Sequence, residues 1–182
     1  MSVAETMRPA GETVVDPALL GREYVASLAP FTVRRIVRWT ECDPAGVVYL
    51  GNFPEYLISA VHLFRDRLFG RGWITNDRKE GYQAPGKAIS LVFQSSLWPD
   101  EIFDMAVYVG PLRSRTMSLL VQARRADNGK KVFAGRVTSI FVTRDDREQT
   151  VGIPDALREE LERYSAENPA PPELAASLRE PE

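Results

Sequence analysis

The sequence predicts an α+β fold in which one antiparallel sheet wraps around a long, largely apolar helix. The helix is predicted from about Asn52 to Phe69, where apolar residues recur at three- and four-residue spacing. One strand is predicted before it, from Phe31 to Trp39, and four strands after it. Short connections make successive strands antiparallel, and a curled sheet is the economical way to cover such a helix. The later strands are predicted at Ala88 to Leu97, Glu101 to Val109, Arg113 to Arg125 and Lys131 to Thr143.

The predicted helix has start and stop signals in the sequence. Asn52 can cap it, and Glu55 stands three residues later in capping-box relation. Pro54 falls in the first turn, where a missing N–H costs little, and Gly70 supplies the stop. We therefore expect a well-bounded helix whose start lies close to the preceding turn.

The length of 182 residues fits one domain with short extensions. Residues 1–30 are predicted to be an N-terminal extension outside the core, with a short helix-like stretch. The domain covers residues 31–165 and ends with a second helix near Pro154 to Tyr164. Residues 166–182 are rich in proline and alanine, which predicts a flexible C-terminal tail.

Charge and composition exclude several classes of function. With 23 basic and 25 acidic side chains there is no global positive field, so no nucleic-acid partner is expected. No apolar run approaches the roughly 20 residues of a spanning helix, and no signal-peptide core precedes Val14, so we expect a cytoplasmic protein without a membrane partner. One cysteine, Cys42, and one histidine, His62, cannot build the usual zinc sites, so no metal is predicted, although carboxylate-only sites stay open.

The segment from Arg38 to Leu57, RWTECDPAGVVYLGNFPEYL, resembles the signature of the 4-hydroxybenzoyl-CoA thioesterase family. In that family a first strand ends in D-x-D-P-A-G-(I/V)-V and leads into a buried helix. Further similar features extend the resemblance over about residues 31 to 164. It implies the hotdog fold, a five-stranded antiparallel sheet around a central helix, and hydrolysis of an acyl-CoA to a free acid and CoA. It also implies a homodimer or homotetramer, with the CoA thioester as substrate and no other cofactor.

Asp43 is the candidate catalytic carboxylate. Pro44 disfavours helical backbone at Asp43 and Gly46 permits a tight turn, which would hold the carboxylate between a strand and a helix. Thioester hydrolysis also needs donors for the developing oxyanion, and free N–H groups at a helix start, from Leu50 or Gly51, can supply them. The resemblance implies that Asp43 acts as general base or nucleophile and that the Leu50 amide polarises the thioester oxygen.

The sequence departs from the family pattern at two positions. Glu41 stands where the motif often has another aspartate, and we interpret it as a solvated or ion-paired surface group more than as a site residue. Ile58 stands where relatives carry an acidic residue on the helix. Any mechanism that needs two carboxylates is therefore in doubt for this chain.

Other residues are candidates for weaker reasons. A dyad of Cys42 and His62 is disfavoured, because strand alternation points Cys42 away from Asp43 and His62 has no evident pairing. Aromatic side chains can line an acyl pocket, and arginines can grip the phosphates of CoA. On this basis the candidate substrate-binding residues are Tyr49, Phe53, Trp73, Tyr82, Arg113 and Arg115.

Two alternative functions stay open at this point. The first is a hotdog module that binds acyl-CoA without turning it over. The second is a thioesterase for acyl carrier protein, which would favour a basic docking surface over a pocket for the phosphates and adenine of CoA. The sequence contains no G-x-S-x-G, Walker A or G-x-G-x-x-G run, which excludes serine hydrolase, P-loop and Rossmann functions.

Overall fold

The described chain forms one antiparallel sheet with a long helix against one face. The computed structural model describes residues 21–70, 81–146 and 148–178. Its strands are β1 (Glu23–Leu28), β2 (Phe31–Ile36), β3 (Tyr82–Gln83), β4 (Gly86–Phe93), β5 (Ile102–Leu112), β6 (Thr116–Arg125), β7 (Lys131–Ile140) and β8 (Val142–Thr143). The large sheet has the order β1-β2-β5-β6-β7-β4, and β3 pairs with β8 separately. The arrangement confirms the predicted α+β class and the hotdog fold.

The large sheet has six strands where five were predicted, because β1 lies within the segment assigned to the N-terminal extension. This strand pairs antiparallel with β2, with Tyr24 opposite Arg34 and Leu28 opposite Phe31. The prediction of a helix-like stretch was wrong for residues 23–28, which form a strand. Its alanine, serine and glutamate have weak strand preference, and the pairing edge offered by β2 decides the conformation.

Helix α1 runs from Phe53 to Phe69, in agreement with the prediction, but its start differs in detail. Asn52 makes no capping hydrogen bond. Its side-chain amide instead donates to the carbonyl oxygen of Glu41 at 2.7 Å. The expected cap is therefore replaced by a tie between the helix start and the preceding loop. In the described part of the chain no helix is long and apolar enough to cross a membrane.

The inner face of the sheet packs closely on α1. Leu57 lies over Gly135 of β7, where an added Cβ would stand only 2.6 Å from the Leu57 Cδ1 atom. Phe53, Tyr56 and Leu57 are all buried against the strands. The absent side chain at Gly135 thus sets how near the helix can lie to the sheet.

Helix α2 (Asp155–Glu167) closes one side of this core. The Tyr164 hydroxyl accepts a hydrogen bond from the Phe31 N–H and donates one to the Val107 carbonyl oxygen, both at 2.8 Å. Its ring lies 4.9 Å from that of Phe64. Burial raises the pKa of Tyr164 to about 12, so the phenol stays protonated and keeps both hydrogen bonds at physiological pH.

A short helix, α3 (Pro172–Ser177), lies where the sequence predicts a flexible tail. Leu174 and Leu178 are buried against Leu120 of β6 and Ala134 of β7. These two strand residues point away from α1, on what we call the outer face of the sheet. Proline and alanine content predicted a loose segment here, but two leucines four residues apart are enough to anchor one helical turn on an apolar patch.

Removing residues 169–182 is expected to lower the free energy of unfolding by about 1–3 kcal/mol, because it uncovers the apolar outer face that Leu174 and Leu178 bury. Denaturant unfolding of the truncated protein measures the change. A chain that ends at Leu178 is the matched control and should unfold like the full chain. Equal stability of the Asn168-ended chain and this control would show that α3 contributes nothing.

Candidate active site

The Asp43 loop is a small hairpin in which the chain folds back on itself. The Asp43 N–H donates to the Val47 carbonyl oxygen at 2.8 Å, and the Gly46 N–H donates to the Asp43 carbonyl oxygen at 2.9 Å. Gly46 has φ +79°, a conformation that favours glycine. The Tyr49 N–H then donates to the Glu41 carbonyl oxygen at 2.9 Å, which closes the hairpin immediately before the helical turn that leads into α1.

The Asp43 carboxylate is oriented by this loop and keeps one oxygen available. Oδ1 accepts a hydrogen bond from the Ala45 N–H at 2.8 Å, which fixes the side chain over the turn. Within the described ranges, Oδ2 accepts no hydrogen bond, and Asp43 is only partly exposed. A carboxylate held in this way can take a proton from water or attack a carbonyl carbon without first breaking a bond of its own.

Two backbone donors follow the hairpin. Leu50 and Gly51 open a 3-10 helix, Leu50–Asn52, that runs directly into α1. Neither N–H is bonded to an acceptor among the residues that the structure describes, as expected for the first turn of a helix. The carboxylate and the donors predicted from the sequence therefore lie on the same loop at the same end of α1.

The ring of Tyr49 covers the backbone at Gly51. A Cβ added to Gly51 would lie 2.5 Å from the Tyr49 Cε1 atom, so the ring can lie against residue 51 only because that residue is glycine. Tyr49 and Leu50 are themselves exposed. The predicted substrate-contact residue Tyr49 thus forms one wall beside the two donors.

Glu41 belongs to a largely buried ion-pair network beneath the loop. Arg35 of β2 donates to Glu41 at 2.6 Å and to Glu23 of β1 at 2.7 Å. Glu23 also accepts a hydrogen bond from Ser59 of α1. The expected ion pairing of Glu41 is therefore present, but the predicted surface position was wrong, because the Glu41 side chain is only 13% exposed. The network lies inside the molecule and joins β1, β2, α1 and the Asp43 loop.

Two further contacts fix this network. The Glu41 carboxylate accepts the Arg38 N–H at 2.8 Å, and the Arg35 guanidinium lies 4.4 Å from the centroid of the Tyr56 ring. Desolvation tends to raise the pKa of Glu41, but the hydrogen bonds from Arg38 and Arg35 outweigh it and the pKa is lowered. Desolvation and Glu41 raise the pKa of Tyr56, so this residue stays a neutral phenol. Glu41 is thus ionised at neutral pH and positions the loop.

The Cys42 side chain is a poor nucleophile in this structure. Desolvation, followed by the charges of Glu41, Asp43 and Asp100, raises the pKa of the thiol. The side chain packs against the hydrophobic core and contacts the Arg38 carbonyl oxygen at 3.6 Å. A thiol without a thiolate fraction at neutral pH does not support a cysteine mechanism.

The aromatic candidates occupy different environments. Phe53 is buried beneath the site, with ring centroids 5.1 Å from Phe93 and 5.8 Å from Phe133. It therefore supports the floor of the site more than it offers a free surface. Tyr82 lies in β3 with its ring 5.7 Å from that of Phe141, away from the Asp43 loop. Trp73 lies outside the described residues.

Within one copy of the chain, the structure does not bring Arg113 and Arg115 to the Asp43 loop. Both lie in the turn between β5 and β6, where Arg115 donates to Thr150 at 2.9 Å. The loop follows the other end of the sheet, where Ile36 pairs with Ile102 at the start of β5. Eleven residues of strand, about 35 Å, separate the two ends.

A pocket of about 440 Å³ extends along α1 beside the edge strand β4. We call it the α1–β4 pocket. It includes Ile58, the position where the family pattern has an acidic residue, so the helix contributes an apolar group there. No cluster of three or more His, Cys, Asp and Glu side chains suited to a metal ion is found among the described residues. The pocket is lined by Ile58, Val61, His62, Arg65, Gly86, Lys87, Ala88, Ile89 and Val137.

Sequence reasoning missed Arg35, Glu23 and Ser59, which hold the loop from below. The charges of Arg35 and Glu23 were visible in the sequence, but the only signal that could have pointed to the network is that Arg35 falls on the inward-facing side of the alternating β2 pattern. It also missed Arg65, because a single arginine within a helix sequence is usually solvent-exposed.

Comparisons with known proteins agree with the fold. A family model described as the thioesterase-like superfamily matches residues 37–161. A thioesterase-superfamily structure from Jannaschia sp. CCS1 aligns at 23% identity over 81% of this chain and 98% of that chain, with a TM-score of 0.67. A 1,4-dihydroxy-2-naphthoyl-CoA thioesterase from Synechocystis aligns at 15% identity over 72% and 94%, with a TM-score of 0.64.

A third solved structure is a mutant 4-hydroxybenzoyl-CoA thioesterase in complex with 4-hydroxybenzoyl-CoA. It aligns at 16% identity over 76% of this chain and 98% of that chain, with a TM-score of 0.62. A search of curated proteins gave no match. Because the family model covers well over half of the sequence and includes the Asp43 loop, α1 and the sheet, this chain belongs to the thioesterase-like superfamily.

Proposed function

We propose that this protein hydrolyses an acyl-CoA thioester to a free carboxylic acid and CoA, with Asp43 as the catalytic carboxylate. The observation that carries the proposal is that Asp43 lies on the same loop as the Leu50 and Gly51 N–H groups. Among the residues that the structure describes, one Asp43 oxygen and both N–H groups make no hydrogen bond. Membership of the thioesterase-like superfamily supports the reaction class.

The chemistry follows from these groups by one of two routes. As a general base, Asp43 takes a proton from water while the water oxygen attacks the thioester carbon. As a nucleophile, Asp43 attacks that carbon itself, and water then hydrolyses the resulting anhydride. In both routes the carbonyl oxygen becomes an oxyanion that accepts hydrogen bonds from the Leu50 and Gly51 amides, and CoA leaves as the thiolate.

CoA thioesters are proposed over carrier-protein thioesters because of what similar structures contain. One neighbour was solved with 4-hydroxybenzoyl-CoA, and another, from Staphylococcus aureus, with CoA. The latter aligns with a TM-score of 0.68.

The proposed active unit is a homodimer formed through the β4 edges. On β4, Ile89, Val92 and Phe93 are exposed by 49%, 39% and 44% although they are apolar. An unpaired edge strand with apolar side chains is a template for pairing with another strand. Pairing of two β4 strands would extend the sheet and cover the open side of the α1–β4 pocket.

A hydrolysis screen tests the proposed function. Purified protein is mixed with short, long and aromatic acyl-CoAs, and with carrier-protein thioesters of the same acyl groups, and free thiol is measured. We expect hydrolysis of at least one acyl-CoA with kcat/KM of about 10⁴ M⁻¹s⁻¹ or more. Hydrolysis of carrier-protein thioesters alone would favour the second alternative. CoA binding without turnover of any thioester would favour a non-catalytic module.

A further inference from the structure

A second pocket, of about 290 Å³, lies at the end of the sheet that carries the Asp43 loop. We call it the Trp39 pocket. Its lining comes from the residue before β1, from the end of β2 with the turn that follows, and from Asp100 just before β5. Trp39 begins the 3-10 turn that leads into the Asp43 loop, and its carbonyl oxygen accepts the Cys42 N–H at 3.2 Å. The pocket therefore adjoins the proposed active site.

Trp39 offers this pocket an aromatic surface in a fixed orientation. The residue is 71% exposed, and its indole N–H donates to Oδ2 of Asp100 at 3.1 Å. Asp100 is itself held in place, because its own N–H donates to the Val37 carbonyl oxygen at 3.1 Å. An exposed indole that is anchored at one edge presents its face for stacking with a planar group.

Asp100 has a backbone conformation that glycine would adopt at lower cost. Its φ is +65°, and no other non-glycine residue in the described ranges has a positive φ. Strained backbone of this kind is typical of residues whose side chain has a role in a site. Oδ2 orients Trp39, while Oδ1 accepts no hydrogen bond from a described residue. An acceptor suited to an exocyclic amine thus stands beside the indole.

Two arginines supply the positive charge of the pocket. Arg22 and Arg38 are both exposed, and neither guanidinium forms a hydrogen bond or an ion pair with another described residue. The Ile36 N–H donates to the Arg22 carbonyl oxygen at 3.0 Å, which sets Arg22 beside the end of β2. Guanidinium groups match phosphate in shape and charge. The pocket therefore suits a ligand that combines phosphates with an aromatic base.

The distance between this pocket and Asp43 agrees with the dimensions of CoA. The pantetheine arm that joins the thioester to the nucleotide is about as long as four residues of extended chain, about 14 Å. Trp39 lies four residues before Asp43, and the turn between them brings the two Cα atoms closer than an extended chain would. A nucleotide stacked on Trp39 can therefore be joined to a thioester at Asp43.

We propose that the Trp39 pocket binds the 3′-phospho-ADP end of CoA. The adenine stacks on the Trp39 ring, its amino group donates to Asp100, and the phosphates bind Arg22 and Arg38. This inference rests on the proposed function. It gives the phosphates a site near the Asp43 loop, where Arg113 and Arg115 of the same chain do not lie.

The test compares thioesters that carry the same acyl group on CoA and on pantetheine, which lacks the nucleotide. We expect the parent kcat/KM to be about tenfold or more higher for the CoA thioester. Because stacking of one base on an aromatic side chain contributes about this much, Trp39→Ala should raise KM for acyl-CoA about tenfold and leave kcat within about threefold. Arg38→Gln should have a similar effect through the lost phosphate contact. Neither variant should change hydrolysis of acyl-pantetheine by more than about threefold.

Two variants are matched controls for these changes. Trp98→Ala removes an exposed indole that does not line the pocket, and Arg163→Gln removes an exposed positive charge from α2. Both should treat the two thioesters as the parent does. If Trp39→Ala does not fold, the exposed Arg38→Gln decides the question. Equal losses for both thioesters in the pocket variants would overturn the inference, because Trp39 and Arg38 would then only support the Asp43 loop.

Free 3′,5′-ADP provides a second test of the site. It should inhibit hydrolysis of acyl-CoA competitively and leave hydrolysis of acyl-pantetheine unchanged, and Trp39→Ala should weaken this inhibition about tenfold. Equal effects of the nucleotide on both thioesters would indicate a separate regulatory site and would contradict the assignment. Absence of inhibition up to millimolar nucleotide, about the weakest affinity that a specific site would show, would contradict it as well.

These outcomes separate this inference from the proposed function. Equal hydrolysis of CoA and pantetheine thioesters by the parent contradicts the inference alone. If neither thioester is hydrolysed, the proposed function fails, and the pocket is tested by calorimetric binding of CoA against pantetheine. Binding of CoA that Trp39→Ala and Arg38→Gln both weaken supports the pocket, whereas equal binding of CoA and pantetheine contradicts it.

Discussion

Replacing Asp43 by asparagine is expected to lower kcat by at least about a hundredfold, because general-base catalysis alone contributes about 10²- to 10⁴-fold. Asparagine keeps the side-chain oxygen that accepts the Ala45 N–H, so the loop should keep its shape. It loses the charge needed to take a proton or to attack the thioester. Steady-state hydrolysis of the best acyl-CoA from the screen measures the effect.

The matched control for Asp43→Asn is Glu55→Gln, which makes the same carboxylate-to-amide change at an exposed position in the first turn of α1. It should hydrolyse the substrate within about threefold of the parent rate, a span of about 0.6 kcal/mol in barrier. Binding of a CoA product should be unchanged in both variants. If folded Asp43→Asn also stays within about threefold of the parent, Asp43 is not the catalytic group.

Replacing Arg35 by methionine is expected to lower the free energy of unfolding by about 3–5 kcal/mol, because it leaves two inward carboxylates without their cation. The side chains of Glu23 and Glu41 are only 17% and 13% exposed, so water cannot replace the lost ion pairs fully. Denaturant unfolding at neutral pH measures the loss. Because Glu41 stands at the start of the hairpin that carries Asp43, losing its ion pair should also lower kcat.

Arg34→Met is the matched control for Arg35→Met. The neighbouring Arg34 faces the other side of β2 and pairs with Asp104 at 2.7 Å, with side chains 35% and 27% exposed. Its loss should cost at most about 1 kcal/mol. A cost for Arg35→Met no greater than that for Arg34→Met would show that the network does not hold the fold.

The stability difference between parent and Arg35→Met should also depend on pH. The pKa of Glu41 is lowered in the folded parent, so its stabilising contribution is present above the ordinary value of 4.5 and is lost as pH falls below that value. The gap between the two proteins should therefore be widest near neutral pH and narrow on acidification. A gap that is constant with pH would contradict the role of the charged pair.

The central elements could be predicted because their signals are local. Pro54 and Gly70 bound α1 correctly, since each acts through its own backbone preference within one turn. The Asp43 loop could also be predicted, because Pro44 restricts the backbone at Asp43 and Gly46 permits the tight turn, whatever surrounds them. From these local signals alone, the sequence predicts that the carboxylate and the two amide donors lie on one loop.

The remaining features depend on contacts between distant segments. The strand at residues 23–28 is decided by pairing with β2, and the side chain of Asn52 turns to Glu41 because the hairpin brings that carbonyl oxygen within reach. The distance of Arg113 and Arg115 from the loop follows from the strand directions, which no single segment encodes. The inward direction of Arg65 likewise depends on Ser139 across the sheet.

The position of α3 has a consequence for the order in which the protein can be completed during synthesis. Leu120 and Ala134 leave the ribosome with β6 and β7, whereas the two leucines that cover them follow every strand of the sheet. Domains fold as their segments emerge, so a nearly complete sheet passes through a stage with a bare apolar outer face. During that interval the nascent chain is open to chaperones and to association with other nascent chains, and it loses this exposure only when α3 docks.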